Sequence, residues 1–386
     1  MRLKVLIGGS IIFFLAGCLP PVSREPLPPE KPPFYREQEF ISPLTDDADR
    51  SSLQTAVERS LAHLAKKNSL GNSPDTLQGA MGNLFSPSRL CRSLTIFREI
   101  LWNASDEAEI ERRVREAFTF WEVTRVDGAK PILLTGYYEP IVEGQLKPGG
   151  EYSYPIYRRP EDLFEIRAKG NSAPYYSRKE IDCQGVLQGK GYELAWLKDP
   201  WERYVLHVQG SGQVRLPDGK TIRVGFAASN GRPYRSIGRY LVERGFLSDQ
   251  ELSLSRVQEF LRQHPERRDE IFNANERYIF FRFIPGKEGP IGALGFPLTA
   301  GRSVATDPAV FPPGALAYLI ARQPVFDEGG TRMAKKNLRR FVLNQDTGAA
   351  MIGPGRVDLF CGSGEAAGMV AGAMREEGKI YFLQAK

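Results

Sequence analysis

The spacing of apolar residues changes character along the chain, helical in the first third and strand-like in the last. In SSLQTAVERSLAHLAK, residues 51–66, Leu53, Val57, Leu61 and Leu64 share one helical face. Ser86 and Pro87 suit an N-cap and first helical position, and Leu90, Leu94, Phe97 and Leu101 form a second apolar stripe behind them. Ser105 reads as the start of a third helix, with Asp106, Glu107 and Glu109 well placed in its first turn. Its inner face would be Ile110, Val114, Phe118 and Trp121. These stripes predict core packing and carry no chemistry.

From residue 131 the text turns to strands. PILLTGYYEP, Pro131–Pro140, runs apolar and then aromatic. Trp201–Phe226 reads as strands linked by turns. Asp218-Gly219 marks a hairpin between Val214/Leu216 and Ile222/Val224, and Pro217 marks an edge. Helices return near Arg235, and Ser248 with Glu251 makes a capping box. YIFFRFI (Tyr278–Ile284), ALAYLIA, RRFVLNQD and the final IYFL predict strands again. The expected class is mainly β with N-terminal helices, an α+β chain. Its glycine-rich final third points to a small barrel rather than a parallel α/β sheet.

The N-terminus has a different logic. Arg2 and Lys4 precede the apolar run VLIGGSIIFFLAG, which ends at Cys18. A charged start, a short apolar core and small residues make a secretory signal, 1–17. The run falls short of the roughly 20 apolar residues that span a bilayer. Leu15-Ala16-Gly17-Cys18 resembles a bacterial lipobox, which implies cleavage before Cys18 and acyl chains on it. Leu19 is not the aspartate that retains lipoproteins at the inner membrane, so an outer-membrane lipoprotein facing the periplasm is expected. Residues 18–44 are proline-rich and read as an extended tether unable to pack. No second apolar stretch is long enough to cross a membrane, so the expected body is soluble and tethered.

Composition is that of a globular protein, 41% hydrophobic and 25% charged, with enough chain for two modest domains. The formal net charge is +6, two of which leave with the signal. With no dense Lys/Arg run and no nucleic-acid module, nucleic acid is not an expected partner. After Cys18 an odd set remains, Cys91, Cys183 and Cys361, with no CxxC spacing; free thiols are expected, although the periplasm would permit one disulfide. His63, His207 and His264 are scattered, so no zinc site or histidine-based triad is expected. No metal or cofactor is anticipated.

Candidate chemistry concentrates in QDTGAAMIGPGRVDLFCGSG, Gln345–Gly364. RRFVLN should feed Asp346 into a loop of small residues. Val357-Asp358-Leu359-Phe360 is strand-like again, with Asp358 and Phe360 on one face. Upstream, SVATDPAVFPPG sets Asp307 in a comparable turn. Glycines beside these aspartates permit close approach of backbone or ligand. Each aspartate could equally bond nearby turn amides. That alternative is strong for Asp307 and evenly matched for Asp346. It is weakest for Asp358, which sits inside an apolar strand. A half-desolvated carboxyl favours its protonated form, as a general acid requires.

At this point the motifs converge on a known pattern. TGYYEP (Thr135–Pro140), YSRKEID (Tyr176–Asp182), HVQGSGQVRLPDG (His207–Gly219), NGRPYRSIG (Asn230–Gly238), GPIGALGFPLTAGRSVATDPAVFPPG (Gly289–Gly314) and QDTGAAMIGPGRVDLF occur in order. The chain resembles the membrane-bound lytic transglycosylase A family, bacterial lipoproteins that cut peptidoglycan. Asp307, Asp346 and Asp358 match the three aspartates that name the family's C-terminal 3D module. Ala349 stands where the family often has a second glycine.

The resemblance implies a large domain holding a double-psi β-barrel, from 45–139 and 284–386, with the 3D module at about 289–386. It implies a smaller inserted β domain, 140–283, and a groove between the two. It also implies cleavage of the β-1,4 bond between N-acetylmuramic acid and N-acetylglucosamine, with the muramyl C6 hydroxyl as nucleophile and a 1,6-anhydro sugar as product. One acid suffices: Asp358 as acid and then base, with Asp346 in a catalytic supporting role and Asp307 further out. Tyr137, Tyr138, Glu139, Gln209 and Ser211 are the candidate substrate-binding residues. Glu139 is also a rival acid, although its place before Pro140 suggests a turn. Expected partners are glycan strands, the outer membrane through the lipid anchor, and proteins of cell-wall synthesis or hydrolysis. The competing readings are a hydrolytic muramidase using two carboxylates and a non-catalytic wall-binding lipoprotein.

Overall fold

The computed structural model describes residues 35–37, 43–69, 84–123, 131–163, 174–286, 288–327 and 329–386. The expected signal, Cys18 and nearly all of the tether lie outside them. The described part of the tether does pack: β1 (Tyr35–Glu37) pairs antiparallel with β2 (Phe118–Val123). Among the described residues no helix is long and apolar enough to cross a membrane.

Three helices precede the sheets: α1 (Arg50–Ser69), α2 (Pro87–Asn103) and α3 (Glu107–Ala117). Leu53, Val57 and Leu64 of α1 are buried, as are Leu90, Leu94, Phe97 and Leu101 of α2. Ser86 caps α2 and Pro87 opens it. The cap of α3 is Asp106, whose carboxylate accepts from the Glu109 amide, while Ser105 bonds the Glu109 side chain. The helix stops at Ala117, so Phe118 and Trp121 belong to β2, not to its inner face. The alternating FTFWEV suits pairing with the C-terminal strand better than another helical turn.

The remaining strands are β3 (Ile132–Glu139), β4 (Ile141–Gln145), β5 (Tyr154–Tyr157), β6 (Glu193–Leu197), β7 (Ser211–Arg215), β8 (Thr221–Ser229), β9 (Ile279–Ile284), β10 (Ser303–Ala305), β11 (Leu316–Phe326), β12 (Arg332–Asp346), β13 (Arg356–Ser363) and β14 (Arg375–Ala385). One sheet runs β1-β2-β14-β11-β12-β10-β13-β3, and β3 pairs again with β14. That second pairing closes β3, β14, β11, β12, β10 and β13 into a six-stranded barrel. A second sheet runs β5-β6-β4-β7-β8-β9. The architecture is mostly β: a closed barrel and a second sheet. Val304, Leu343, Val357, Leu359 and Phe382 join one core that also takes in the N-terminal helices. The second sheet has its own core around Val142, Leu206, Val214 and Phe281.

The Asp218-Gly219 hairpin forms as expected, with Gly219 at φ +82 between β7 and β8. The reading of Trp201–Phe226 as strands throughout is corrected at its start. Pro200–Gln209 is a helix, numbered below as α5. Asp199 caps it through the Trp201 amide, Pro200 opens it, and Gly210 ends it in the left-handed region. The other short helices are α4 (Arg178–Asp182), α6 (Ile237–Glu243), α7 (Leu254–Gln263), α8 (Arg268–Asn273) and α9 (Gly364–Ala373). Ser248 and Glu251 do bond reciprocally, but they close a turn, and α7 starts later from Ser253.

Candidate active site

The barrel brings together residues far apart in sequence. β10 is only three residues long and lies between β12 and β13. Ala305 pairs with Asp346 on one side and Asp358 on the other. Two carboxyls thus stand two strand spacings apart, roughly 10 Å between backbones. On the far side of β13, β3 runs parallel, with Asp358 opposite Thr135 and Phe360 opposite Tyr137.

Strand alternation sets what each side chain meets. Val357 and Leu359 point into the barrel core and are buried. Arg356, Asp358 and Phe360 therefore share the other face. The Asp358 side chain is 20% exposed, and its Oδ1 is buried without a hydrogen-bond partner. The nearest cation is Arg356, 3.8 Å from that oxygen and beyond hydrogen-bonding reach. Burial pushes the Asp358 carboxyl up to about 6, against the pull of Arg356, and the Asp346 charge pushes it the same way as burial. At pH 7 about a tenth of such a group stays protonated, far more than of an ordinary carboxyl.

Asp346 is held differently. Its Oδ2 accepts from the Tyr137 hydroxyl at 2.9 Å and its Oδ1 from the Ala293 amide at 2.9 Å. Burial raises its carboxyl, while the Thr347 amide, Tyr137 and the Ala293 amide draw it back. Tyr137 also packs on Phe360, ring centres 5.4 Å apart, and burial beside Asp346 drives its phenol well above the ordinary range. Tyr137 thereby ties Asp346 to Phe360, which shares a strand face with Asp358. Asp307 stands apart: it accepts from the Ala309 amide at 2.9 Å and the Gly353 amide at 2.7 Å. It pins the loop between β12 and β13, the turn role weighed for it above.

The other sequence candidates separate. Tyr138 packs its ring against Gly368 of α9, and its amide donates to Gln209 Oε1 at 3.1 Å. Gln209 ends α5, so its carbonyl joins that helix to β3. Ser211 begins β7 opposite Gly225. Glu139 is corrected. It is buried at 1% exposure, bidentate to Arg223 at 2.6 and 2.8 Å, and accepts from Gln213 and Ser363 as well. With its oxygens so occupied it neither faces a ligand nor serves as an acid; it clamps β3 and β13 to β7 and β8. His207 lies on α5, not on a strand. It is buried, accepts from the Ile279 amide and packs on Tyr278 and Phe281. Cys91, Cys183 and Cys361 are all free thiols.

Two residues near Asp358 carried no role in the sequence reading. Arg356 precedes it by two positions on the same face. Tyr234, from NGRPYRSIG, is close enough to feel both the Arg356 and Asp358 charges, and burial raises its phenol. It also lines a cavity of about 200 Å³ with Trp201, Val208, Gln209, Leu252 and Leu254. NGRPYRSIG was the available signal, but nothing in its spacing singles out Tyr234.

Comparison with known proteins agrees along the chain. The family model "MltA specific insert domain" matches residues 133–282, and "3D domain" matches 302–384. The chain is 28% identical over 385 residues to the membrane-bound lytic murein transglycosylase A of Escherichia coli K12, covering 99% of this chain and 95% of the relative. Among solved structures, Burkholderia pseudomallei lytic transglycosylase LtgG is 31% identical with a TM-score of 0.54, covering 92% of this chain and 100% of that one. Escherichia coli MltA with bound chitohexaose is 25% identical with a TM-score of 0.68, covering 92% and 95%.

Proposed function

This chain belongs to the membrane-bound lytic murein transglycosylase A family, and from that premise we propose how its site works. It is a peptidoglycan lytic transglycosylase. Its bond is the β-1,4 linkage between N-acetylmuramic acid and N-acetylglucosamine, and its product carries a 1,6-anhydromuramic end.

The observation that carries the assignment of the acid is the half-buried carboxyl of Asp358, raised to about 6 and free of hydrogen bonds at one oxygen. Protonated Asp358 gives its proton to the glycosidic oxygen as the C1–O bond breaks. The resulting carboxylate takes the proton of the muramyl C6 hydroxyl, whose oxygen closes on C1. The same proton inventory is restored at the end of the cycle. Because the nucleophile belongs to the substrate, its effective concentration is high and no water needs positioning. Asp346 supplies negative charge toward the developing cation and keeps Tyr137 in place beside Asp358. Its engagement with Tyr137 and Ala293 suits that role better than activating a water, as a two-carboxylate hydrolase would need.

In the same reading the closed barrel is of double-psi type, residues 140–283 form the inserted domain, and the glycan lies between them. Cys18 carries lipid at the outer membrane. Product identity on purified sacculi is the test. Anhydromuramic ends are expected, with Asp358→Asn reducing their release by roughly 10²- to 10⁴-fold. Reducing muramic ends, or an Asp358→Asn enzyme of full activity, would sink the mechanism.

A further inference from the structure

Arg356 is the cation closest to the acid, and its environment leaves it unspent. Its side chain is 36% exposed on the strand face it shares with Asp358. A guanidinium has five N–H donors. Two are used here, both at 3.3 Å, to the Ala350 carbonyl and the Thr135 hydroxyl. These fix the plane of the group. Its Nε is buried without a partner, as is Asp358 Oδ1, so the donors left for a ligand are those of the two terminal nitrogens. The geometry therefore holds a charged fork beside the acid in a loose 3.8 Å ion pair, too long for a hydrogen bond, that leaves N–H donors over.

The substrate supplies one anion that fits. Each muramic ring carries a lactyl ether on C3, two bonds from the C1 where cleavage occurs. In peptide-bearing strands the lactyl carbonyl is an amide and neutral. In strands stripped of peptide it is a free carboxylate. We propose that Arg356 receives that free lactyl carboxylate and makes this enzyme selective for peptide-free glycan strands. The inference takes the muramyl ring from the transglycosylase reading, but the charge recognition does not depend on how the bond is cut.

Recognition and chemistry are coupled through one residue. Unliganded, Arg356 favours the ionised form of Asp358. A carboxylate seated on Arg356 offsets that pull, so the acid holds its proton more firmly once the preferred strand is bound. The planar fork also matches a carboxylate with two parallel N–H bonds, which an amide oxygen cannot match.

The test compares three glycan preparations as substrates for the full-length protein: amidase-stripped strands, the same strands with lactyl carboxyls capped as methylamides, and peptide-bearing strands. Charge-assisted hydrogen bonds of this kind correspond to roughly 10- to 100-fold in kcat/KM, the expected preference of the wild type for the free carboxylate. In Arg356→Gln the ratio between stripped and capped strands should fall to about one, with Arg356→Lys between. Equal rates of the wild type on stripped and capped strands would overturn the proposal without any variant. So would Arg356→Gln retaining the preference. Reducing ends appearing with the preference and its loss intact would overturn the reaction reading and support this one.

Discussion

At the scale of single residues, the site depends on a carboxyl kept in an unfavourable place. For Asp358 the folded state favours the protonated form. Its contribution to stability is full below the ordinary carboxyl value of 3.8 and is lost as pH rises through about 6. Asp358→Asn, despite its loss of activity, should therefore be more stable at pH 7, by about 1–3 kcal/mol, read by thermal or denaturant unfolding. Lower stability at pH 7 and no change at pH 4 would contradict the burial argument. Activity has the same sign: kcat/KM should fall as pH rises above about 6, and Arg356→Gln should move that limb upward. Tyr137→Phe removes the 2.9 Å bond to Asp346 at a cost of about 1–3 kcal/mol, and should lower turnover while Asp358 remains in place. Asp358 was legible in the sequence because a lone carboxylate inside VDLF breaks an apolar strand. Arg356 and Tyr234 were not. An arginine and a tyrosine look like ordinary surface and core residues until the fold brings them, one from the barrel and one from beyond β8, into the neighbourhood of one carboxyl.

At the scale of elements, the misreadings have two causes, the first being the competition between local periodicity and capping. WERYVLHV alternates well enough to pass for a strand, but Asp199-Pro200 before it and Gly210 after it frame a helix. Capping residues decided what hydrophobic spacing left ambiguous. Glu139 is a second case. Its place before Pro140 spoke for a turn, and nothing local announced Arg223, eighty-four residues on. A buried ion pair of this kind is costly to break on one side only. Glu139→Ala should lower stability by about 3–5 kcal/mol by leaving Arg223 charged and unpaired, whereas the paired change Glu139→Leu with Arg223→Met should recover most of it. A double variant no more stable than Glu139→Ala would show that the clamp works through shape rather than charge. Helix α9 lies against β3 at Gly136, where an added Cβ would come within 2.8 Å of the Ala371 backbone. Gly136→Ala should cost about 1–3 kcal/mol in unfolding experiments.

At the scale of the whole molecule, the same clamp says how two sheets share one chain. The chain leaves the barrel at Glu139, and Ile284, which ends β9, pairs in register with Arg223. Since Arg223 holds Glu139, exit and return lie in one hydrogen-bonded neighbourhood. The six barrel strands then come from residues 132–139 and 303–385, and the second sheet lies wholly between them. An element entering and leaving at one point can be removed without threading or re-pairing any barrel strand. Replacing residues 141–284 with a short Gly/Ser linker, together with Glu139→Gln to avoid an orphaned charge, should leave a cooperatively folding barrel. That barrel keeps Asp358, Asp346 and Arg356, but it loses Tyr234, the Gln209 contact to Tyr138 and one wall of the site. The excised protein should fold, shown by near-UV circular dichroism and a single unfolding transition, and release no muropeptides from sacculi. If it cleaved glycan at the rate of the whole chain, the second sheet would have no part in holding the strand. If it failed to fold, β3 and β13 would depend on the second sheet for more than the Glu139 clamp.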